Sequence, residues 1–309
     1  MNGKKVNWFF LTTILLHLLI VVLMVVFRYV FALGIIANFL VSSAMIVVPA
    51  FVFLACSGES PVEAAGFHKI RWSTVFMIVL FTFLTMPLTT VINTFSMFFV
   101  ENAVTEISGQ VLELPFVVAF FFMAVVAPVC EEVVYRGIAY QGYKRSGTLL
   151  QATLCSAMIF AVGHMNFNQA AYAFVIGVML VLLVEATGSI WASIIYHVVF
   201  NGYSVCVMYL AGDMLETDMT AGLPDGWTYQ DSLLYGLGVS MVTAAVMTSF
   251  AVCVLIWIAR NEGRIRRLQE IWATRHERKG KVITIPLVIA LILAFAYMVA
   301  EVILYKMIL

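Results

Sequence analysis

Phe-Met-Ala-Val-Val-Ala-Pro-Val-Cys-Glu-Glu-Val-Val-Tyr-Arg-Gly, residues 122–137, decides how the chain is read. Two adjacent carboxylates, Glu131 and Glu132, and one guanidinium, Arg136, interrupt an otherwise apolar run. An ionisable group at membrane depth costs about 2.5–3.5 kcal/mol even on lenient insertion scales. Three such groups so close together need a compensating role, and function is the default hypothesis.

The surrounding chain sets that depth. It has 309 residues, of which 63% are hydrophobic and 11% charged, with mean hydropathy +1.02. A soluble domain cannot hide that much apolar surface. The chain is therefore all-α, a polytopic transmembrane helical bundle. The alternating ten-residue segments of a membrane barrel are missing. A formal net charge of +0 gives no reason to expect a nucleic-acid partner. Cys56, Cys130, Cys155, Cys206 and Cys253 lie in or beside apolar runs, without a CxxC pair. They read as small core hydrophobes rather than a disulfide or zinc framework. The basic start at Lys4 and Lys5 precedes an apolar run too long for a signal peptide, so this run is the first span.

Apolar segments fall at about 6–31, 35–56, 74–98, 114–140, 148–165, 168–187, 189–211, 233–259 and 284–306. That makes nine spans, each near the ~20 residues that a bilayer needs. The connections alternate in charge. Lys4 and Lys5, then Lys69 and Arg71, then Lys144 and Arg145, then the many bases of 260–283 mark one side. Glu101, Glu106 and Glu113, then Asp213, Glu216, Asp218, Asp225 and Asp231 mark the other. The positive-inside rule puts the N-terminus in the cytoplasm and the C-terminus outside. Arg28, near the outer end of the first span, is an exception that can snorkel. Ile265, Leu268, Ile271 and Trp272 recur at helical spacing among bases. That segment reads either as a helix on the anionic inner leaflet or as an exposed basic loop that fixes topology.

Further polar groups interrupt later spans. His164 ends Phe160-Ala-Val-Gly-His164, and His197 and Asn201 bound His197-Val-Val-Phe-Asn201. Residues four apart share a helix face, so His197 projects with Asn201 and Glu132 with Arg136. Glu131 lies about 100° around from Glu132, so the two acids need not share a role. Counted from a turn near Ser146–Gly147, Glu131 and His164 reach nearly the same depth. His197, counted from Thr187–Gly188, is too shallow unless a helix or turn is offset. Such a set supports hydrolysis. Glu131 can take a proton from water, with His164 helping to hold it. His197 and Asn201 can donate to the oxyanion of a tetrahedral intermediate. Glu131, His164 and His197 would alternatively suit zinc.

Glu131-Glu132-Val-Val-Tyr-Arg136, Phe160-x-x-x-His164 and His197-x-x-x-Asn201, in this order on successive spans, resemble the CPBP family. These are the CAAX-prenyl-endopeptidase-type and bacteriocin-processing intramembrane proteases, also called Abi. The resemblance spans about residues 114–211. It implies an eight-helix-type protease core, here 1–259. A basic cytoplasmic interfacial segment, 260–283, and an additional C-terminal transmembrane helix, 284–309, lie beyond it. It further implies Glu131 as base, His164 as its partner, His197 and Asn201 on the oxyanion side, and Glu132 and Arg136 as organisers of the site. The family has been described both as metalloproteases and as glutamate-dependent enzymes, so zinc or no metal both stand. The expected partners are the lipid bilayer and a membrane-embedded or lipidated peptide or protein substrate. Short loops suggest a prokaryotic cell membrane.

Each residue also has a blander reading. Glu132–Arg136 reads first as a structural ion pair, and Phe160 as core beside the site. Glu185 and Glu301 lie near span ends and read as interfacial. His17, His68 and His276 belong to no constellation. Neither His-Glu-x-x-His nor Gly-x-Ser-x-Gly is present, and Gly212-Asp213 falls in an acidic loop. A non-catalytic scaffold that binds a partner through the same pocket is the alternative function. A proton-coupled transporter is the third, without support from internal repeats.

Overall fold

The chain folds, in a computed structural model, as a bundle of helices; residues 2–27, 34–56, 58, 66–212, 226–277 and 280–308 are described. The helices are α1 (Gly3–Val26), α2 (Ile35–Ala55), α3 (Trp72–Ser96), the short α4 (Ala103–Leu112) and α5 (Phe116–Lys144). They continue with α6 (Leu149–Gly163), α7 (Phe167–Thr187), α8 (Ile190–Leu210), α9 (Tyr229–Asn261), α10 (Ile265–Ala273) and α11 (Ile285–Ile308). Among the described residues there is no strand. Arg28, Asp213, Glu216, Asp218, Asp225, Arg278 and Lys279, used above to orient the chain, lie outside the described residues.

Among the described residues, eight helices are long and apolar enough to cross a membrane. The fifth expected span, 148–165, forms only the 15-residue α6. At about 1.5 Å per residue it falls short of a ~30 Å hydrocarbon core. Its start is fixed by a reciprocal cap, with Gln151 N donating to Thr148 Oγ1 and Thr148 N to Gln151 Oε1. Its end is fixed by Met165, held at φ 54°, and by Asn166, whose side chain accepts from Gln169 N to open α7. The α6–α7 turn, which carries His164, is therefore sunk into the bundle. The residues 99–113, read as a loop, contain α4.

Close approach of small residues sets the α6–α7 hairpin. A Cβ on Gly177 would stand 2.9 Å from the Cα of Ala157, so the helices touch backbone to side chain there. α3 runs along α9, and both touch α7. The last helix is not a loose addition. Leu287, Ala290, Ala294 and Met298 of α11 are buried, and α11 lies on α1. Asn7, wholly buried in α1, donates to Val282 O at 2.7 Å and Thr284 Oγ1 at 2.8 Å, and accepts from Tyr143 of α5 at 2.6 Å.

Glu185, expected at an interface, is instead buried at the end of α7, with 1% exposure. It accepts from Lys144, from Tyr140 at 3.0 Å and from Arg267 at 3.3 Å. Arg264 Nε donates to the Glu185 carbonyl at 3.0 Å. These bonds dock α10 on the bundle. Ile271 is buried and Ile265 and Leu268 pack on the core. Most of the apolar face thus meets protein rather than the leaflet, while Trp272 remains 63% exposed.

Candidate active site

The site begins with irregular hydrogen bonding in α5. Two π-helical stretches, Phe121–Val126 and Val133–Tyr140, flank the α-helical turn Ala127–Glu132 that carries both glutamates. Such wide turns recur at functional sites, where they turn side chains and carbonyls out of the regular register. The cause of the first is legible. Ala127 N donates five residues back, to Phe122 O, and Pro128 has no N–H to give. Met123 O is thereby denied its backbone donor. Asn201 Nδ2 donates to it instead, at 3.1 Å. A side chain of α8 is thus anchored to a gap in the ladder of α5.

Glu132 and Arg136 are both 0% exposed and paired at 2.8 Å. The same oxygen, Glu132 Oε1, meets His197 Nδ1 at 2.9 Å. A carboxylate that already binds a guanidinium is ionised and can only accept, so Nδ1 of His197 carries its proton. Nε2 of His197 then points toward Glu131, 3.8 Å from its Oε2. That gap exceeds a hydrogen bond and fits an intervening group. Glu131 keeps 22% of its side chain exposed, so of the two acids it is the one a substrate can reach. Glu131 Oε2, Glu132 Oε2 and Arg136 Nε and Nη2 have no protein partner among the described residues.

His164 is positioned by the end of α6. Its backbone N–H bonds Ala161 O, which leaves Phe160 O free to accept from its ring Nδ1 at 2.9 Å. A carbonyl cannot donate, so Nδ1 is protonated and Nε2 is the acceptor of the neutral ring. Phe160, 1% exposed, holds the parts together. Arg136 lies 4.0 Å over its ring, and its centroid is 4.9 Å from that of His164 and 5.8 Å from that of His197.

The depth mismatch for His197 resolves in α5. Tyr140 bonds Glu185 near the end of α7, so α5 continues past the α7–α8 connection. Measured from Tyr140 rather than from Gly147, Glu132 falls level with His197.

Glu131, His164, His197, Asn201 and Phe160 line one cavity of about 390 Å³. Thr13 and His17 of α1 and Ser42 and Ser43 of α2 also line it. A second cavity of about 340 Å³ adjoins it, sharing Tyr172, Phe200, Ser204 and Met208. His17 had no motif to mark it, and its place on the wall is visible only in three dimensions. Tyr135 and Gly163 sit inside the motifs, at positions between the signature residues. Among the described residues no three His, Cys, Asp or Glu side chains converge to hold a metal ion. Glu131, His164 and His197, the residues that would hold zinc, are thus not drawn together as a ligand set in this arrangement.

Residues 113–203, under a third of the chain, match the family model described as "Rce1-like: Type II CAAX prenyl endopeptidase Rce1-like". The match supports the CPBP resemblance that the three motifs carry. All three motifs lie inside the matched segment, whereas α1–α4 and α9–α11 lie outside it. The matched family is one of peptidases, and the apolar helices support an integral membrane protein. No curated protein and no solved structure matches the chain.

Proposed function

We propose that the protein is an intramembrane endopeptidase that hydrolyses a peptide bond of a membrane-associated peptide or protein with a Glu131-activated water. The observation that carries this reading is the single cavity shared by Glu131, His164, His197 and Asn201. A water there gives one hydrogen to the Glu131 carboxylate, while its other hydrogen rests on His164 Nε2. As Glu131 takes the proton, the water oxygen bonds to the scissile carbonyl carbon. The charge that develops on the carbonyl oxygen falls to His197, which donates from Nε2 when its ring is doubly protonated, and to the N–H of Asn201 that Met123 does not use. Collapse of the tetrahedral intermediate breaks the C–N bond, and Glu131 returns its proton to the leaving amine. With the N-terminus in the cytoplasm, the Glu185 end of the bundle is the cytoplasmic end.

Detergent-purified wild type, Glu131→Ala and His164→Ala are incubated with farnesylated and lipid-free membrane peptides, with and without a chelator, and products are read by mass spectrometry. Product from wild type alone is the expected result. Equal product from Glu131→Ala would remove the mechanism.

A further inference from the structure

We infer that Tyr135, at an unassigned position within Glu131-Glu132-x-x-x-Arg136, is a further catalytic residue whose phenol donates a hydrogen bond to the oxyanion. The inference rests on the hydrolytic reading above and deepens it.

The need for such a donor comes from what the other donors are already doing. Nδ1–H of His197 is spent on Glu132, so His197 donates into the cavity only as an imidazolium. One N–H of Asn201 is spent on Met123 O. A neutral donor that needs no extra proton would complete the hole, and Tyr135 supplies one. It follows Glu131 by four residues on α5 and lines the same cavity. The residue as a whole is buried, with 3% exposure, yet its hydroxyl is not one of the sealed, unpartnered polar atoms of the site. It opens instead on the cavity that the residue lines.

Its neighbours fix its aim. Ser156 of α6 donates to the Tyr135 carbonyl at 3.0 Å, and the Phe160 ring meets the Tyr135 ring edge-on at 5.3 Å. The hydroxyl lies against Gly163, where a Cβ would stand 2.4 Å from it. The glycine before His164 is thus the space in which the phenol reaches the site. The phenol keeps its proton throughout. It shortens its hydrogen bond as charge grows on the carbonyl oxygen and relaxes when the C–N bond breaks.

The test compares wild type, Tyr135→Phe, Gly163→Ala, the double variant and Glu131→Ala on a farnesylated CAAX-type peptide, with Tyr235→Phe, on the exposed face of α9, as control. Tyr135→Phe keeps the ring contact and removes one oxygen. The expected result is a kcat lower by ~10²–10³ with KM and melting temperature unchanged. Gly163→Ala should lower kcat comparably, and the double variant no further. Wild-type kcat in Tyr135→Phe, with Glu131→Ala inactive, would overturn the inference and leave the hydrolytic reading standing. Wild-type activity in Glu131→Ala would overturn both. A second arm needs no substrate. With 3-fluorotyrosine at position 135, the fluorine resonance should move on Glu131→Gln and on Gly163→Ala but not on Glu185→Gln. A resonance indifferent to Glu131 and Gly163 would overturn the inference whatever the peptides do.

Discussion

Replacing Glu132 with glutamine should destabilise the protein more than its small change in shape suggests. Oε1 of Glu132 accepts from Arg136 at 2.8 Å and from His197 at 2.9 Å, and neither member of the ion pair is exposed. The amide keeps an acceptor but removes the charge. Arg136 then stays buried as a cation over the Phe160 ring, 4.0 Å from its centroid. A desolvated cation–π contact is worth about 2 kcal/mol, too little to replace the carboxylate. Breaking one side of a buried pair costs about 3–5 kcal/mol. Arg136→Met should cost less, because the remaining carboxylate keeps His197 as a partner. Combining Glu132→Leu with Arg136→Met removes both charges and should recover most of the loss. Unfolding of the detergent-solubilised variants, followed by circular dichroism as a double-mutant cycle, measures the coupling. The recovered double variant should stay inactive, because nothing then holds the Nδ1–H of His197. Glutamine within about 1 kcal/mol of wild type, or a double variant weaker than either single, would refute the pairing as drawn.

Pro128→Ala restores a backbone N–H that competes with Asn201 for Met123 O; peptidase activity should fall by an order of magnitude or so with stability unchanged, read from kcat beside a thermal melt. Gly177→Val drives a side chain into the backbone of Ala157 and should cost about 1–3 kcal/mol, measured by the same melt. Glu185→Ala strips the partners that Lys144 and Arg267 share; hydrogen exchange should rise across Ile265–Ala273 while α6 stays protected. Equal protection of α10 in that variant would show that its apolar face alone holds it.

Much of the architecture was legible because a membrane leaves few choices. A run of about 20 apolar residues becomes a spanning helix, so the spans were found by composition. The order of the three motifs then pointed to the family whose model matches residues 113–203. What failed was depth. Turn-counting assumed a full-length sixth helix with an even ladder, and α6 is instead a 15-residue helix. The π-helical stretches of α5 were equally invisible, since they depend on how α8 and α5 share carbonyls as well as on Pro128. Glu185 read as interfacial from its place near a span end, but three side chains from other helices close over it. The apolar stripe of α10 could face lipid or protein equally well. Glu185 decided for protein by capturing Arg264 and Arg267.

The division of the cavity has a consequence for substrate choice. Glu131, His164, His197 and Asn201 come from the segment that matches the family model, and His17, Ser42 and Ser43, which line the same cavity, from helices outside it. In the proposed mechanism chemistry depends on the first set, where each donor and acceptor is assigned by a neighbour. The same mechanism leaves selection to the second, which adds polar side chains from α1 and α2 to the cavity. A peptide segment that unwinds in an apolar medium frees its own N–H and C=O groups and must pair them. Changing His17, Ser42 or Ser43 to leucine should therefore shift which peptides are cut, seen as altered KM ratios between substrates, while kcat on a good substrate holds. A uniform loss of kcat across all substrates would instead put those residues with the chemistry.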